Sequence, residues 1–427
     1  MITPKFLDEI IEATRAAVNK MNNLFIVLIV KSICAAFKAG EDRLLTPSTI
    51  KNIGKLLKSG MNVDDVQKII EKQMPSIKKE IRKAFMQSAK EISAHNSEIE
   101  EQMVQNARLD VKLPNTTVEG IPTNPAALNM TVHEIRVLEA AYRRTNGTVN
   151  NISNSIAPAV YEAYTQACDT AILSIQSGRS PAQAIMDAVE EATKNGIKVI
   201  EYNSGRKDSV DVAIARAVRT GVNQANSEII LTRCAELGIQ YVKVSQHRGA
   251  RVTHKNDFTD HSWWQGKVYS LNWNSPEISG FVHDVPADDP KFGYMQEIKT
   301  KYLQAPKEFD FPDFVKTCGY GRIEGIIGIN CRHTFQAWLP EYNKITAEPI
   351  DPEDNEKRFK LEQKQRSMER AMRALRREIE AFEAIEPQTK DTKDKISERK
   401  RKLKQMGAEL MQFCKENSLP YFSERIR

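Results

Sequence analysis

The hydrophobic period of this chain changes at Ile239, and that change limits what it can fold into. Up to Gly238 apolar residues recur at three- and four-residue spacing, the period of helices packed by one face. From Ile239 the segment "IQYVKVSQ" alternates as a strand does, and "GKVYSL" and "TFQAWL" follow as further short strand-like pieces. Local signals fix several helix ends. Thr131-Val-His-Glu134 has the form of a capping box opening "VHEIRVLEAAYRR". Ser180-Pro181 supplies a cap and a first-turn proline ahead of "AQAIMDAVEEATKN", which Gly196 closes. Asp208 or Ser209 opens a long helix carrying Ala217, Val218, Val222, Ala225, Ile229 and Ile230, and Gly238 ends it.

The region after the switch has its own composition. All four tryptophans (Trp263, Trp264, Trp273, Trp338), five of the seven histidines and eight of the nineteen glycines lie between Tyr241 and Leu339. Aromatics supply large buried areas to a small core, and glycines permit tight turns and close backbone approach. Beyond it, Met368, Met372, Leu375, Ile379 and Phe382 keep a heptad seam, "EPQTKD" breaks it, and Ile396, Leu403, Met406, Leu410 and Phe413 resume it. Two helices joined by a short polar turn form an antiparallel hairpin. The expected fold class is α+β: a mainly α-helical N-terminal region, a small β-containing aromatic and glycine-rich module, and a C-terminal antiparallel helical hairpin. The expected divisions are helices over 1–108, a linker or extended arm over 109–130, helices over 131–238, the module over 239–344, a spacer over 345–355, the charged hairpin over 356–416 and a tail over 417–427.

The net charge of +6 is unevenly placed. Residues 356–427 hold 20 Lys and Arg against 13 Asp and Glu, a surplus of seven, which leaves the other 355 residues at about −1. A nucleic-acid binder is not identified by so small a surplus. The six cysteines are scattered with no CxxC pair, which points to a reducing compartment. The apolar run "LFIVLIV" stops at Lys31, too short for a membrane span, and "MITPKFLDEIIEA" carries acids where a cleavable signal would be basic. Synthesis in the cytosol with no membrane span is expected.

Two patterns could carry chemistry. Cys331 and His333 straddle Arg332, and strand alternation sends both side chains to one face. With His254, His261 or Cys318 they could complete a tetrahedral zinc site, although the spacing matches no familiar zinc motif. The same cysteine and histidines, with Asp257, Asp260 and Asn330, define the alternative function, a metal-dependent nuclease or hydrolase built on residues 247–333. The compact ββα arrangement of His-Asn-His nucleases is not visible in the sequence. The glycines of "GYGRIEGIIG" lack phosphate-loop spacing and read as turns. On the residues alone the expectation is no catalytic set and no cofactor, with any zinc structural and His247, His261, Cys331 and His333 as its candidate ligands.

The elements "VSQHRGAR", "HSWWQGKVYS", "GYG" and "GINCRH", in that order, resemble the phage minor capsid protein type 2 family, distantly akin to the F-like head-morphogenesis proteins of Mu-type phages. "YNSGRKDSVDVAIARAVRTGVNQAN" resembles its long helix before the module, and "EQKQRSMERAMRALRREI" its C-terminal helix. Carried over residue by residue, the structural motif comprises Gly249, His261, Trp264, Gln265, Gly266, Lys267, Gly319, Tyr320, Gly321, Asn330, Cys331, Arg332 and His333. Two departures stand out: "VTHKNDFTD" is inserted after Gly249-Ala250-Arg251, which sets His254 apart, and isoleucine precedes Asn330. The resemblance implies a virion component made in the host bacterial cytoplasm that joins the head near the portal and takes part in head assembly, DNA packaging or ejection. Its implied partners are portal and capsid proteins, with the basic hairpin as the segment suited to touching packaged DNA.

Overall fold

Several helices begin where the sequence offers a side chain to cap them. In a computed structural model of the chain, Thr131 N donates to Glu134 Oε2 (2.8 Å) and Glu134 N donates to Thr131 Oγ1 (3.3 Å), the reciprocal bonds of a capping box. Ser180 and Gln183 exchange the same pair at 3.2 and 3.3 Å. The structure describes residues 3–39, 46–106, 129–194, 196–201, 205, 207–304, 309–329, 331–340, 343 and 348–426. The arm expected over 109–130 therefore lies outside the described residues except for Asn129 and Met130, and Asn330 lies outside them too.

The fold is mainly helical α+β. Helices α1 (Pro4–Ile10), α2 (Glu12–Ala39), α3 (Pro47–Ser59), α4 (Val63–Asn106), α5 (Val132–Asn154), α6 (Ile156–Gln176) and α7 (Pro181–Lys194) precede a two-stranded antiparallel ribbon, β1 (Lys198–Glu201) with β2 (Lys207–Ser209). Helix α8 (Val210–Leu237) ends at Gly238, whose φ of +71° is the left-handed conformation that glycine adopts without strain. Then come β3 (Tyr241–Val244), α9 (His261–Trp264), β4 (Val268–Ser270), α10 (Pro276–Ser279), α11 (Phe292–Gln304), α12 (Phe314–Cys318) and β5 (Phe335–Ala337). The long α13 (Pro352–Glu383) and α14 (Lys390–Glu416) close the chain, with a 3-10 turn at Ser423–Ile426.

Two compact units form, each from three stretches of chain. The first takes residues 1–11, 80–147 and 216–360. Its sheet has β3 at the centre, antiparallel to both β4 and β5, with Val242 opposite Tyr269 and Ala337. Alternation gives the sheet two apolar faces. Val242, Val244, Tyr269 and Phe335 join Trp264, Phe314 and the buried stripe of α8 (Leu231, Cys234, Leu237) in the main core. Tyr241, Val268 and Trp338 face the other way, against Phe311. At about 25 cal/mol per Å² of apolar surface, a core rich in large aromatics compensates for strands of only three or four residues.

Asn355, at the end of the expected spacer, belongs to this unit. Its Oδ1 accepts from Gly249 N (2.9 Å) and Ala250 N (3.0 Å), and its Nδ2 donates to Ala250 O (3.0 Å). The side chain is buried, and Gly249 meets it at φ +83°. Asn355→Ala strands two N–H groups and a carbonyl, and should lower stability by about 1–3 kcal/mol. Urea unfolding monitored by tryptophan fluorescence reads this, since all four tryptophans lie in the unit.

The second unit takes residues 12–79, 148–215 and 361–427. Helix α2 buries Phe25, Ile29 and Ile33 in it, and Tyr164 of α6 donates to the Leu57 carbonyl at the end of α3 (2.5 Å). By length and composition Lys5–Ala39 is apolar enough to cross a membrane, yet 61% of the qualifying window is buried inside the fold. Side chains of α13 and α14 meet in one cluster: Met372 with Leu410 and Cys414, flanked by Met368, Leu403 and Met406. Arg399 Nε pairs with Glu378 (2.6 Å) and Lys400 with Glu383 (2.6 Å).

Candidate functional site

His261, Cys331 and His333 converge inside the first unit, with the three ligand-capable atoms all within 4.8 Å of one another. Asp260 caps α9 by accepting from Ser262 N and presents His261 at its first residue. The "GYGRIEGIIG" segment folds as successive turns, and Gly325 leaves no room for a Cβ, which would meet the Gly319 carbonyl oxygen at 2.0 Å. Those turns deliver Cys331 and His333 into the same interior, just before β5. Cys331 Sγ lies 3.9 Å from His261 Nδ1 and 3.8 Å from His333 Nδ1. All three residues are at most 3% exposed, so the cluster is closed to solvent.

The surrounding oxygens determine which ring nitrogen carries each proton. His261 Nε2 donates to the Glu324 carbonyl (2.9 Å). Gln265 Oε1 accepts from His247 N (2.9 Å), which fixes the amide orientation, and then also accepts from His333 Nε2 (3.2 Å). His247 Nδ1 donates to the Arg248 carbonyl (3.1 Å), and its ring stacks on that of His333 with centroids 4.4 Å apart. The proton-free nitrogens are therefore His261 Nδ1, His333 Nδ1 and His247 Nε2. Burial holds the rings neutral: His247 and His261 are pulled down to about 4, and His333 falls well below the ordinary histidine value. Burial also pushes the Cys331 thiol up to about 11, the opposite of what an activated nucleophile needs.

The other described motif residues have separate local roles in the same unit. Trp264 is fully buried, its ring 4.6 Å from His261 and 4.7 Å from His333, and its Nε1 donates to the Phe258 carbonyl (3.1 Å). Gly266, at φ +75°, passes so close to Gln246 that a Cβ would lie 2.2 Å from its Oε1. Lys267 is exposed and donates to the Trp263 carbonyl (2.7 Å). Gly319 ends α12 in the left-handed conformation, Gly321 turns at φ +84°, and Tyr320 OH lies 3.4 Å from Ser227 Oγ. Arg332 pairs with Asp8 (3.4 Å), which also accepts from Arg219 (2.7 Å). His254 stands apart: it is exposed and lies 3.9 Å from Glu356.

A second polar centre in the same unit was not anticipated. Arg233 is 1% exposed and donates to both oxygens of Glu134, at 2.9 and 2.5 Å, and to the Asn129 carbonyl at 3.1 Å. It also pairs with Glu100, as does Lys291 at 3.6 Å. Thr131 Oγ1 bonds Glu236, whose carboxyl burial pushes up to about 7 against the pull of Arg233. The available signal was an arginine on the apolar stripe of α8, one turn from Ile229, Ile230 and Leu237.

A mainly helical chain with one small aromatic sheet module, its polar residues turned inward to brace the core, has the build of a structural protein. Comparison with known families gives the class: the profile of phage minor capsid protein 2 matches residues 2–413, and the chain belongs to that family. It is thus a structural component of the bacteriophage capsid, found in the virion and associated with other head components. No curated protein and no solved structure matches the chain.

Proposed function

We propose that this minor capsid protein acts at the portal vertex, where it contacts portal and capsid-shell proteins and serves head assembly, DNA packaging or ejection without catalysing a reaction. The observation that carries the reading is the family match over residues 2–413 together with a body of nearly balanced charge. The basic C-terminal segment supports protein contact over DNA contact, because several of its cations are already engaged. Arg399 pairs with Glu378, Lys395 and Arg399 with Glu190, and Arg425 with Glu12. Six free, buried cysteines fit synthesis in a reducing host cytoplasm. The nuclease alternative is not favoured: a hydrolase needs open coordination positions and a route for DNA, whereas the His/Cys cluster is closed.

The test is retention by immobilised portal protein in moderate salt beside a DNA column. The expected result is portal retention, weak DNA retention, and no DNA cleavage with Mg²⁺, Mn²⁺ or Zn²⁺. DNA binding that falls steeply as salt rises, without portal retention, reverses the assignment.

A further inference from the structure

We propose that His261 Nδ1, Cys331 Sγ and His333 Nδ1, with His247 Nε2 as fourth donor, bind one structural Zn²⁺. This goes beyond the assembly role and does not depend on it.

The protons around Cys331 are too few for the acceptors that face it. Two ring nitrogens without protons face Cys331, and a thiol has one proton to give. One buried lone pair is therefore left without a donor, whichever way the S–H turns. His247 Nε2 is a second: it is buried and has no hydrogen-bond partner among the described residues. Buried acceptors are seldom left bare, and two proton-free ring nitrogens facing one thiol, with a further bare nitrogen on the ring stacked against His333, describe a place for a cation.

Distances agree with that reading. Tetrahedral zinc with bonds of about 2.3 Å to sulfur and about 2.0 Å to nitrogen separates its S and N ligands by about 3.5 Å. The observed S–N separations of 3.8 and 3.9 Å need only a small contraction. His247 has further to travel and must turn out of its stack on His333 to bring Nε2 to the ion.

The outer contacts are those metal-bound histidines use. Each imidazole donates its far N–H to an oxygen: Glu324 O, Gln265 Oε1 and Arg248 O. Three imidazoles and a thiolate suit Zn²⁺ over the hard cations, and a closed site suits a structural ion. On binding, Cys331 releases its proton to solvent and coordinates as thiolate. The ion would tie together the end of β3, α9 and the approach to β5, three segments that short strands alone hold weakly.

Elemental analysis of the full chain, purified without chelator, should give one zinc per chain. Chelation of the wild-type protein should lower its melting temperature, and added Zn²⁺ should restore it. Co²⁺ exchanged into the site should show a thiolate charge-transfer band that Cys331→Ser abolishes. His247→Ala should keep that band and weaken metal affinity by about 10–100-fold. Folded wild-type protein that holds far less than one zinc, shows no thiolate band with Co²⁺ and melts identically with and without chelator overturns the proposal. Unchanged affinity in His247→Ala overturns the four-ligand set.

Discussion

Trp264→Ala should lower stability by about 3–5 kcal/mol, as expected when a fully buried indole is truncated and the space is only partly refilled. Trp264 is 0% exposed and joins three parts of its unit. Its ring packs on His261 and His333, its Nε1 is bonded to Phe258, and its carbonyl accepts from the buried Tyr269 hydroxyl (2.6 Å). The adjacent tryptophan provides the control. Trp263 is 38% exposed and lies beneath the Lys267 ammonium, so Trp263→Ala should cost less than about 1 kcal/mol. Urea midpoints of the two variants beside wild type check this. Equal, small losses in both would mean that the aromatic pair serves a binding surface and not a core.

The contrast between these neighbours shows what the sequence could carry. Alternation over "IQYVKVSQ", "GKVYSL" and "TFQAWL" was enough to place β3, β4 and β5, because each strand buries residues on a two-residue period. Thr131, Ser180 and Gly238 marked helix ends, because caps are local chemistry. Partners distant in sequence left no such trace. Nothing near Asn355 announces that it closes on Gly249 and Ala250, 105 residues away. The ribbon of β1 and β2 was missed because "KVIE" and "KDS" are short and mostly polar. Helices α4, α5, α8 and α13 each contain a boundary between the two units, which a helical period has no means of showing. At the candidate site Cys331 and His333 do face one interior, but from irregular chain just before β5 and not from the strand that the sequence led one to expect. The approach of His261 and the alignment of three imidazole protons depend on Gln265 and on two backbone carbonyls, which are products of the fold.

The same limit concealed Arg233, whose replacement should rank among the most damaging single changes in the chain. Arg233→Met keeps much of the side-chain volume but removes the guanidinium from between Glu134 and Glu100, which are both fully buried. Breaking one partner of a buried ion pair typically costs about 3–5 kcal/mol, because the remaining charge has neither water nor counterion. Lys291 then remains as the cation beside Glu100, and burial already pulls that ammonium down to about 7. The two explanations of a loss, missing packing and uncompensated charge, separate by pH. Burial already raises the Glu134 carboxyl well above its ordinary value, and loss of the guanidinium should raise it further, so the native state binds more protons than the unfolded state over a wider range. Stability then falls as pH rises through that range. The deficit relative to wild type should be largest at neutral and alkaline pH and shrink toward pH about 5, where the carboxyls can take protons. Adding Glu134→Gln should recover part of the loss at neutral pH, since it removes one of the two charges that Arg233 had balanced. Denaturant titrations of the three proteins at acidic and at alkaline pH measure this. A deficit that is the same at both pH values, and that Glu134→Gln leaves untouched, would show that Arg233 holds the core by its bulk and not by its charge.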